Sequence, residues 1–531
     1  MSGRCVLIGL DGGTFSILDP LMRDGVMPFL ARFVATGTRA GLRSVIPPLT
    51  PPAWASITTG RSPGQHGVFD FFTFESPESR LVRITNSSDV RCETIWSIAG
   101  RHGLRATVLN FPLMTPPRPI SGCVIPGWVL WRFLRRSCYP AGLYDRVKDL
   151  PGFNPKELAM NLELEQKALT RCPPEEQEEW VRVHLRRERQ WFEILAYLMR
   201  TEPHDLTAIV FDGVDKLQHL FWNLLDPDTA PERLSEPERR VRALCLDYFR
   251  QLDGIIADTV ALVGEDANVF IASDHGFGPS HEIVHVNSWL ARHDYLRWKG
   301  NGPRGEDDSD ALGVGLIGWM DTLIDWSATT AYVRTPSSNG IHICVTGQRG
   351  AVGIAPDDYH AFRRRLQDQL LELRDPRGGE RVVAEVWTRE EAFPGPLMHG
   401  APDLTLRLRD GGFVSTTRSE ALVTARVEPV GVHHPEGIFL ARGPSVAEGA
   451  RLAPISVLDV TPMVLHTLGV PVPEDLEGRV PLEVFRSEWL RANPVVTGDP
   501  TQPPEIFSAP PAESTGDEQV IARLKALGYL E

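Results

Sequence analysis

Five short apolar runs constrain this chain more than anything else in it: CVLIGL (5–10), ATVLNF (106–111), LTAIVF (206–211), NVFIAS (268–273) and GIFLAR (437–442). Each ends in polar or glycine residues, the mark of parallel strands buried in an α/β sheet. Helical segments lie between them, around 27–36, 240–263 and 456–468. The pattern predicts an α/β fold, a mostly parallel central sheet with helices on both faces. Ligands in such sheets bind at the carboxyl ends of strands. The residues that follow each run therefore carry the functional reading.

At 531 residues the chain is long enough for one large α/β domain with insertions, or for two or three domains. The sheet domain is expected over 1–129 and again over 206–492. Between them, residues 130–205 are basic and aromatic with helical spacing and read as a helical cap insertion. Its basic stripe faces either an anionic substrate or solvent. Residues 300–325, rich in Gly and Asp, read as a lid-like region. Residues 493–517, rich in Pro, Ser and Thr, read as a flexible linker. The last segment, 518–531, reads as an amphipathic helix that docks on the body or on a second subunit of a homo-oligomer.

A net charge of −14 argues against nucleic acid as a partner. The seven cysteines, Cys5, Cys92, Cys123, Cys138, Cys172, Cys245 and Cys344, form no C-x-x-C pair, which points to a reducing compartment and to no cysteine zinc site. With no signal-peptide pattern and no apolar stretch of transmembrane length, a cytoplasmic location is expected.

Carboxylates and imidazoles gather where the runs stop. Asp11 follows the first run, Asp212, Asp215 and His219 the third, and Asp274 and His275 the fourth; His433 and His434 precede the last. Taken singly, each is ordinary: a turn Asp, a surface i,i+4 pair, a core histidine. Brought together by a sheet, three carboxylates and three imidazoles need bound divalent cations to offset their mutual cost. The mixed O/N donor set suits zinc or manganese better than calcium. The run PPLTPPAWASITTGRSPGQHG (47–67) adds Thr50 directly before Pro51 and Pro52. Thr50 is either an ordinary N-cap of a short helix or a hydroxyl that the helix start presents to a phosphate.

Asp11, the P-x-x-T-x-P-x-W…T-G…P-x-x-H-G run, Asp215-x-x-x-His219, SDHGFG and H-x-P-E-G together resemble the alkaline phosphatase superfamily. Their nearest likeness within it is the branch of type I phosphodiesterases and nucleotide pyrophosphatases. HVNSWLARHDYL (285–296), DWSATTAYV (325–333), APDLTLRL (401–408) and the closing LKALGYLE are similar to a group of bacterial and archaeal predicted phosphohydrolases or phosphomutases. The resemblance implies an alkaline phosphatase-like fold and two metals. One is held by Asp11, Asp274, His275 and the Thr50 oxygen, the other by Asp215, His219 and His433. His433 takes the family position three residues before Glu436-Gly437, while Asp212 stays outside the ligand set. In one departure, the asparagine that usually follows the H-G pair is missing from HGVFDFF (66–72). Asn110 or the backbone N–H at the Thr50 helix start is then expected to serve the phosphoryl oxygens.

The implied activity is a metal-dependent hydrolysis of phosphate ester or pyrophosphate bonds in a small nucleotide or phosphodiester substrate. It passes through a phosphothreonine on Thr50. A phosphomutase using the same groups, and a non-catalytic metal-stabilised binding protein, are the alternatives.

Overall fold

The computed structural model describes residues 4–74, 82–170, 172–300, 322–346 and 353–504. Nine strands form its main sheet. In chain order they are β1 (Cys5–Leu10), β2 (Thr38–Arg43), β3 (Ala106–Leu109), β4 (Gly122–Ile125), β5 (Leu206–Phe211), β6 (Asn268–Ala272), β7 (Glu436–Arg442), β8 (Ala450–Arg451) and β9 (Ile455–Ser456). They lie in the order β8-β2-β7-β6-β1-β5-β3-β4, with β9 also beside β2. β1 sits near the middle, parallel to β5 through Cys5↔Leu206 and to β6 through Cys5↔Asn268.

Only β7 runs against its neighbours, with Phe439 opposite Ala272 and Ala40. The run GIFLAR is thus a buried strand of the sheet, but not a parallel one. A strand covered on both faces is apolar throughout whichever way it runs, so the run does not encode direction. Direction follows from the preceding strand, Val423–His434, which ends at the carboxyl edge and leaves β7 to start there.

Side chains alternate across β1 as the two-residue pleat demands. Val6, Ile8 and Leu10 enter one core with helices Gln177–Thr201, Gly213–Leu225 and Glu236–Val263. Cys5 and Leu7 enter the other, with helices Thr50–Thr59, Ile95–Arg101 and Val460–Thr467. The result is three layers, helix–sheet–helix. A separate four-stranded antiparallel sheet (Ala331–Val333, Gly340–Ile343, Leu404–Leu408, Val383–Thr388) packs on helix Tyr359–Leu371 around its own core.

Helices Trp131–Ser137, Leu143–Val147, Pro155–Leu158, Leu162–Thr170 and Gln177–Thr201 lie within residues 131–201, and Trp180, Trp191 and Leu195 sink into the same core as Ile8. The basic stripe on this segment is largely paired with acids: Arg135 with Asp145, Arg182 with Glu178, Arg186 with Glu157, Arg189 with Glu193. The expected linker is bound to the body over its described part. Thr497–Gly498 pairs with Val472–Pro473, Thr501 N–H donates to Asp475 (2.8 Å), and Gln502 N–H donates to Glu93 (2.8 Å). A Pro-rich chain has few N–H groups to satisfy, and surface carboxylates supply acceptors for those that remain. Residues 505–517, the helix expected at 518–531 and residues 301–321 of the expected lid lie outside the described residues. Among the described residues no helix is long and apolar enough to cross a membrane.

Candidate metal centre and nucleophile

Asp11 follows β1 directly, its N–H donating to Phe211 O (3.1 Å), and Asp274 and His275 follow the neighbouring β6. Gly12 ties the two strand ends together by donating to Asp274 Oδ1 (3.1 Å). It has φ +65°, and a Cβ there would stand 2.6 Å from the Phe277 ring, so only glycine fits. Asp215 and His219 share one face of helix Gly213–Leu225, which starts just past β5. His433 arrives on an antiparallel ribbon, Val423–His434 against Gly276–Val284, which sets it opposite Phe277 and beside His275. Neighbouring residues on a strand face opposite ways, so His433 turns to the cluster while His434 packs against Gly278.

Thr50 is the first residue of its helix, and Leu49, extended at φ −128° and ψ 137°, occupies the N-cap position. The hydroxyl is therefore not spent as a cap. Buried at 2% exposure, Thr50 Oγ1 lies 3.2 Å from His275 Nε2. The helix reaches this place because β1 carries Gly9 where Trp54 crosses the sheet; a Cβ on Gly9 would overlap the Trp54 ring. The helix start is poor in donors. Pro51 and Pro52 have no N–H, and Ala53 N–H is spent on Leu49 O (3.0 Å). Of the two substitutes expected for the missing asparagine, Asn110 already donates its amide to Val210 O (2.8 Å).

Three imidazoles are aimed alike. Nδ1 of His219 lies 3.1 Å from Gly431 O, Nδ1 of His433 lies 3.0 Å from Pro48 O, and Nδ1 of His275 lies 3.1 Å from Gly276 O. A carbonyl only accepts, so this network assigns the ring proton to each Nδ1 and leaves a lone pair on each Nε2. Those Nε2 atoms converge on the carboxylates. His433 Nε2 is 3.3 Å and His219 Nε2 3.5 Å from Asp215 Oδ1; His275 Nε2 is 3.2 Å from Asp274 Oδ2 and 3.5 Å from Asp11 Oδ1. His219 and His433 bring two Nε2 lone pairs within 3.1 Å, an arrangement that repels unless a cation shares them.

The carboxylates show the same strain. Asp11 Oδ1, Asp215 Oδ1 and Asp274 Oδ2 are buried without a hydrogen-bond donor. Burial, then the charges of Asp274 and Asp215, hold the Asp11 carboxyl well above its ordinary range, and burial pushes Asp274 up to about 7. Burial also pushes Asp215 upward, but His219 and His433 outweigh it and keep that carboxyl below its ordinary value. Burial lowers His219 to about 4 and holds His275 well below its usual value, so both rings are neutral donors. Two groups have ligand atoms all within 4.8 Å of one another: Asp11, Asp274, His275 and Asp215, His275, His433. Neutral imidazoles, undonated carboxylate oxygens and a buried hydroxyl fit a pair of divalent cations.

A comparison with family models matches residues 5–436 to type I phosphodiesterase / nucleotide pyrophosphatase. The chain belongs to that family. It is a metal-dependent phosphoester hydrolase of the alkaline phosphatase superfamily. Among solved structures it is similar to a phosphonoacetate hydrolase from Sinorhizobium meliloti 1021 in complex with phosphonoformate. That likeness has 17% identity and a TM-score of 0.50, covering 88% of this chain and 96% of that one. It is also similar to human ectonucleotide pyrophosphatase / phosphodiesterase 5, at 13% identity and TM-score 0.49, covering 91% of this chain and 100% of that one. At 17% identity the likeness to the phosphonoacetate hydrolase speaks for the fold alone.

All seven residues expected from the phosphodiesterase resemblance stand in one cluster. Asp212 does not join it: its carboxylate is buried between Lys216 Nζ (3.0 Å) and Arg187 (3.3 Å), and its side chain caps nothing. Arg187 on the long helix and Lys216 beside Asp215 form, with Glu165, a brace behind the Asp215 helix. Sequence reasoning missed this brace, because its partners lie on three helices far apart in the chain. It also missed His66, whose Nε2 lies 2.9 Å from Ser56 Oγ and whose Nδ1 accepts from Val68 N–H (3.2 Å). His66 thereby pins the Thr50 helix to the loop that follows it; the signal was the H-G pair itself.

Proposed function

We propose that the chain hydrolyses phosphate ester or pyrophosphate bonds of a small nucleotide or phosphodiester substrate, with Thr50 as nucleophile and a phosphothreonine intermediate. The observation that supports it best is a buried, uncapped hydroxyl against a cluster of cation-seeking carboxylates and imidazoles. Asp11, Asp274, His275 and Thr50 would hold one divalent cation, and Asp215, His219 and His433 the other. The two oxygen/nitrogen sets suit zinc first and manganese second. When bound, such cations lower the hydroxyl's pKa and stabilise negative charge on the transferring phosphoryl group.

The chain's own residues supply orientation. Thr50 Oγ1 lies 3.2 Å from His275 Nε2, which would set the oxygen beside the cation that His275 helps to hold. Thr50 Oγ1 attacks phosphorus, and the bond to the leaving oxygen breaks with its electron pair. Water then cleaves the phosphothreonine P–O bond, returning the hydroxyl and releasing the phosphate product. With two prolines in the first turn, the helix contributes its dipole rather than a cradle of N–H donors. A phosphomutase would need free basic groups to retain its product, and the pairing of Arg135, Arg182, Arg186 and Arg189 with acids weighs against it.

Elemental analysis together with bis(p-nitrophenyl) phosphate turnover tests the reading. Two divalent ions per chain and chelator-sensitive turnover are expected. A metal-free protein that turns over normally in chelator overturns it.

A further inference from the structure

The two candidate cation sites stand on different parts of the fold. Asp11, Asp274 and His275 follow two neighbouring strands of the main sheet, whereas Asp215 and His219 ride on helix Gly213–Leu225 and His433 on the antiparallel ribbon. Two sites that act on one phosphoryl group must keep their geometry to about 0.5 Å, which takes supporting bonds beyond the ligands themselves. The helix is broken just past its ligands. Phe221 leaves the helical region at φ −124° and ψ 25°, so a kink separates the turns that carry Asp215 and His219 from the rest. Those turns need anchors of their own.

At their start, Glu188 Oε1 accepts Gly213 N–H (2.9 Å) and the Tyr248 hydroxyl (2.9 Å). At their far end stands Gln218, wholly buried between Asp215 and His219 in the sequence. Its Nε2 donates to Gly12 O (2.8 Å). Gly12 follows Asp11, donates its N–H to Asp274 Oδ1 (3.1 Å), and lies so close to the helix that a Cβ on it would stand 3.3 Å from Asp215 Cα. One amide therefore ties the helix of Asp215 and His219 to the turn that joins Asp11 and Asp274. The main chain of the same residue seats the ribbon. A Cβ on Gly431, two residues before His433, would stand 2.2 Å from Gln218 O, and Gly431 O accepts from His219 Nδ1.

The other end of the amide is badly placed. Gln218 Oε1 is buried with no hydrogen-bond donor among the described residues, which is destabilising. Methionine would fill a similar space without that cost, so packing alone does not account for a glutamine here. Its donor to Gly12 does.

We infer that Gln218 is a positioning residue that sets the separation of the two cations by locking the Asp215–His219 helix to the Gly12 turn. The inference rests on the two-metal phosphoryl-hydrolase reading and adds to it a residue outside both ligand sets.

Gln218→Met keeps the length of the side chain and removes the donor; Gln218→Asn keeps an amide one methylene short of Gly12 O. Zinc-loaded crystals of each, read by anomalous scattering, should hold both ions with their separation changed by about 0.5 Å or more from the wild type. At saturating zinc, kcat for bis(p-nitrophenyl) phosphate should fall about 10- to 100-fold while KM stays within about twofold. The chelated Gln218→Met protein should melt near the wild-type temperature, because it loses an unpaired oxygen along with the bond. A merely structural role predicts the reverse: a lower melting temperature, with separation and kcat unchanged. Either variant folded with the wild-type separation overturns the inference, and so does failure of both to fold. A wild type that holds two ions yet never hydrolyses the ester removes the hydrolase reading, while the separation still decides Gln218. A wild type that binds no pair of ions overturns both.

Discussion

Gly9→Ala perturbs the nucleophile without touching it. An added Cβ would overlap Trp54 Cη2 and stand 3.1 Å from Trp54 Cζ3 and 2.9 Å from Val210 Cγ2. Ordinary carbon contacts begin near 3.5 Å, so the Trp54 ring must retreat by roughly 1 Å. Trp54 lies on the second turn of the Thr50 helix, fully buried between β1 and Phe111, whose ring is 5.3 Å away edge-on. The ring has no room to swing, so the helix moves with it. Overpacking of this kind costs about 1–3 kcal/mol, which a fold with roughly 5–15 kcal/mol of stability survives. A 1 Å displacement of a reacting group costs about 100-fold in rate. The expected result is a folded protein with normal metal content, a modest fall in melting temperature and turnover reduced about 100-fold. Trp54→Phe in the same chain removes the overlapping atoms and should recover much of that rate. A Gly9→Ala protein that is folded and fully active would refute the claim that β1 packing sets the position of Thr50.

His433→Ala should cost at least 100-fold in turnover and part of the metal content, while His434→Ala stays within about threefold, because only His433 turns to Asp215; the reverse order moves the ligand by one residue. The melting temperature of chelated protein should fall as pH rises to about 7. The raised Asp274, near 7, and Asp11 keep a proton in the folded state that the unfolded chain releases above about 4, so stability present below that value is lost as pH rises through the folded-state values. The lowered folded-state pKa values of His219 and His275 act the opposite way between about 4 and 6.5, where the unfolded chain binds more protons, so the net fall is steepest above about 6.5. Metal loading should abolish the alkaline fall; chelated protein equally stable from pH 5 to 8 would contradict the crowding of these groups.

The sheet was legible because a buried strand must be apolar for its whole length, and the carboxylates and imidazoles of the candidate site were legible because they gather at the ends of those strands. Strand direction was not: β7 looks like its parallel neighbours, and only its entry from the His433 ribbon reverses it. The Thr50 question could be posed from sequence but not answered. A cap and a presented hydroxyl have the same residue pattern, and the extended backbone of Leu49 separates them. The two prolines were read as helix-start residues, yet their larger effect is to strip the first turn of donors. The tail shows the opposite limit. Its composition signals low internal structure, while its attachment depends on Asp475 and Glu93, which no local pattern announces. The Lys216–Asp212–Arg187 brace and the Gln218–Gly12 link fail for the same reason, since each joins residues distant in sequence.

The central claim is that Thr50 carries the phosphoryl group. Rapid acid quenching of the metal-loaded protein during turnover, followed by peptide mass spectrometry, reads it directly. Phosphate on the peptide containing PPLTPPAW is expected, at the Thr50 oxygen, and it should vanish in a Thr50→Ala protein that remains folded and metal-bound. Turnover that leaves this peptide unmodified, with Thr50→Ala as active as the wild type, would contradict the account.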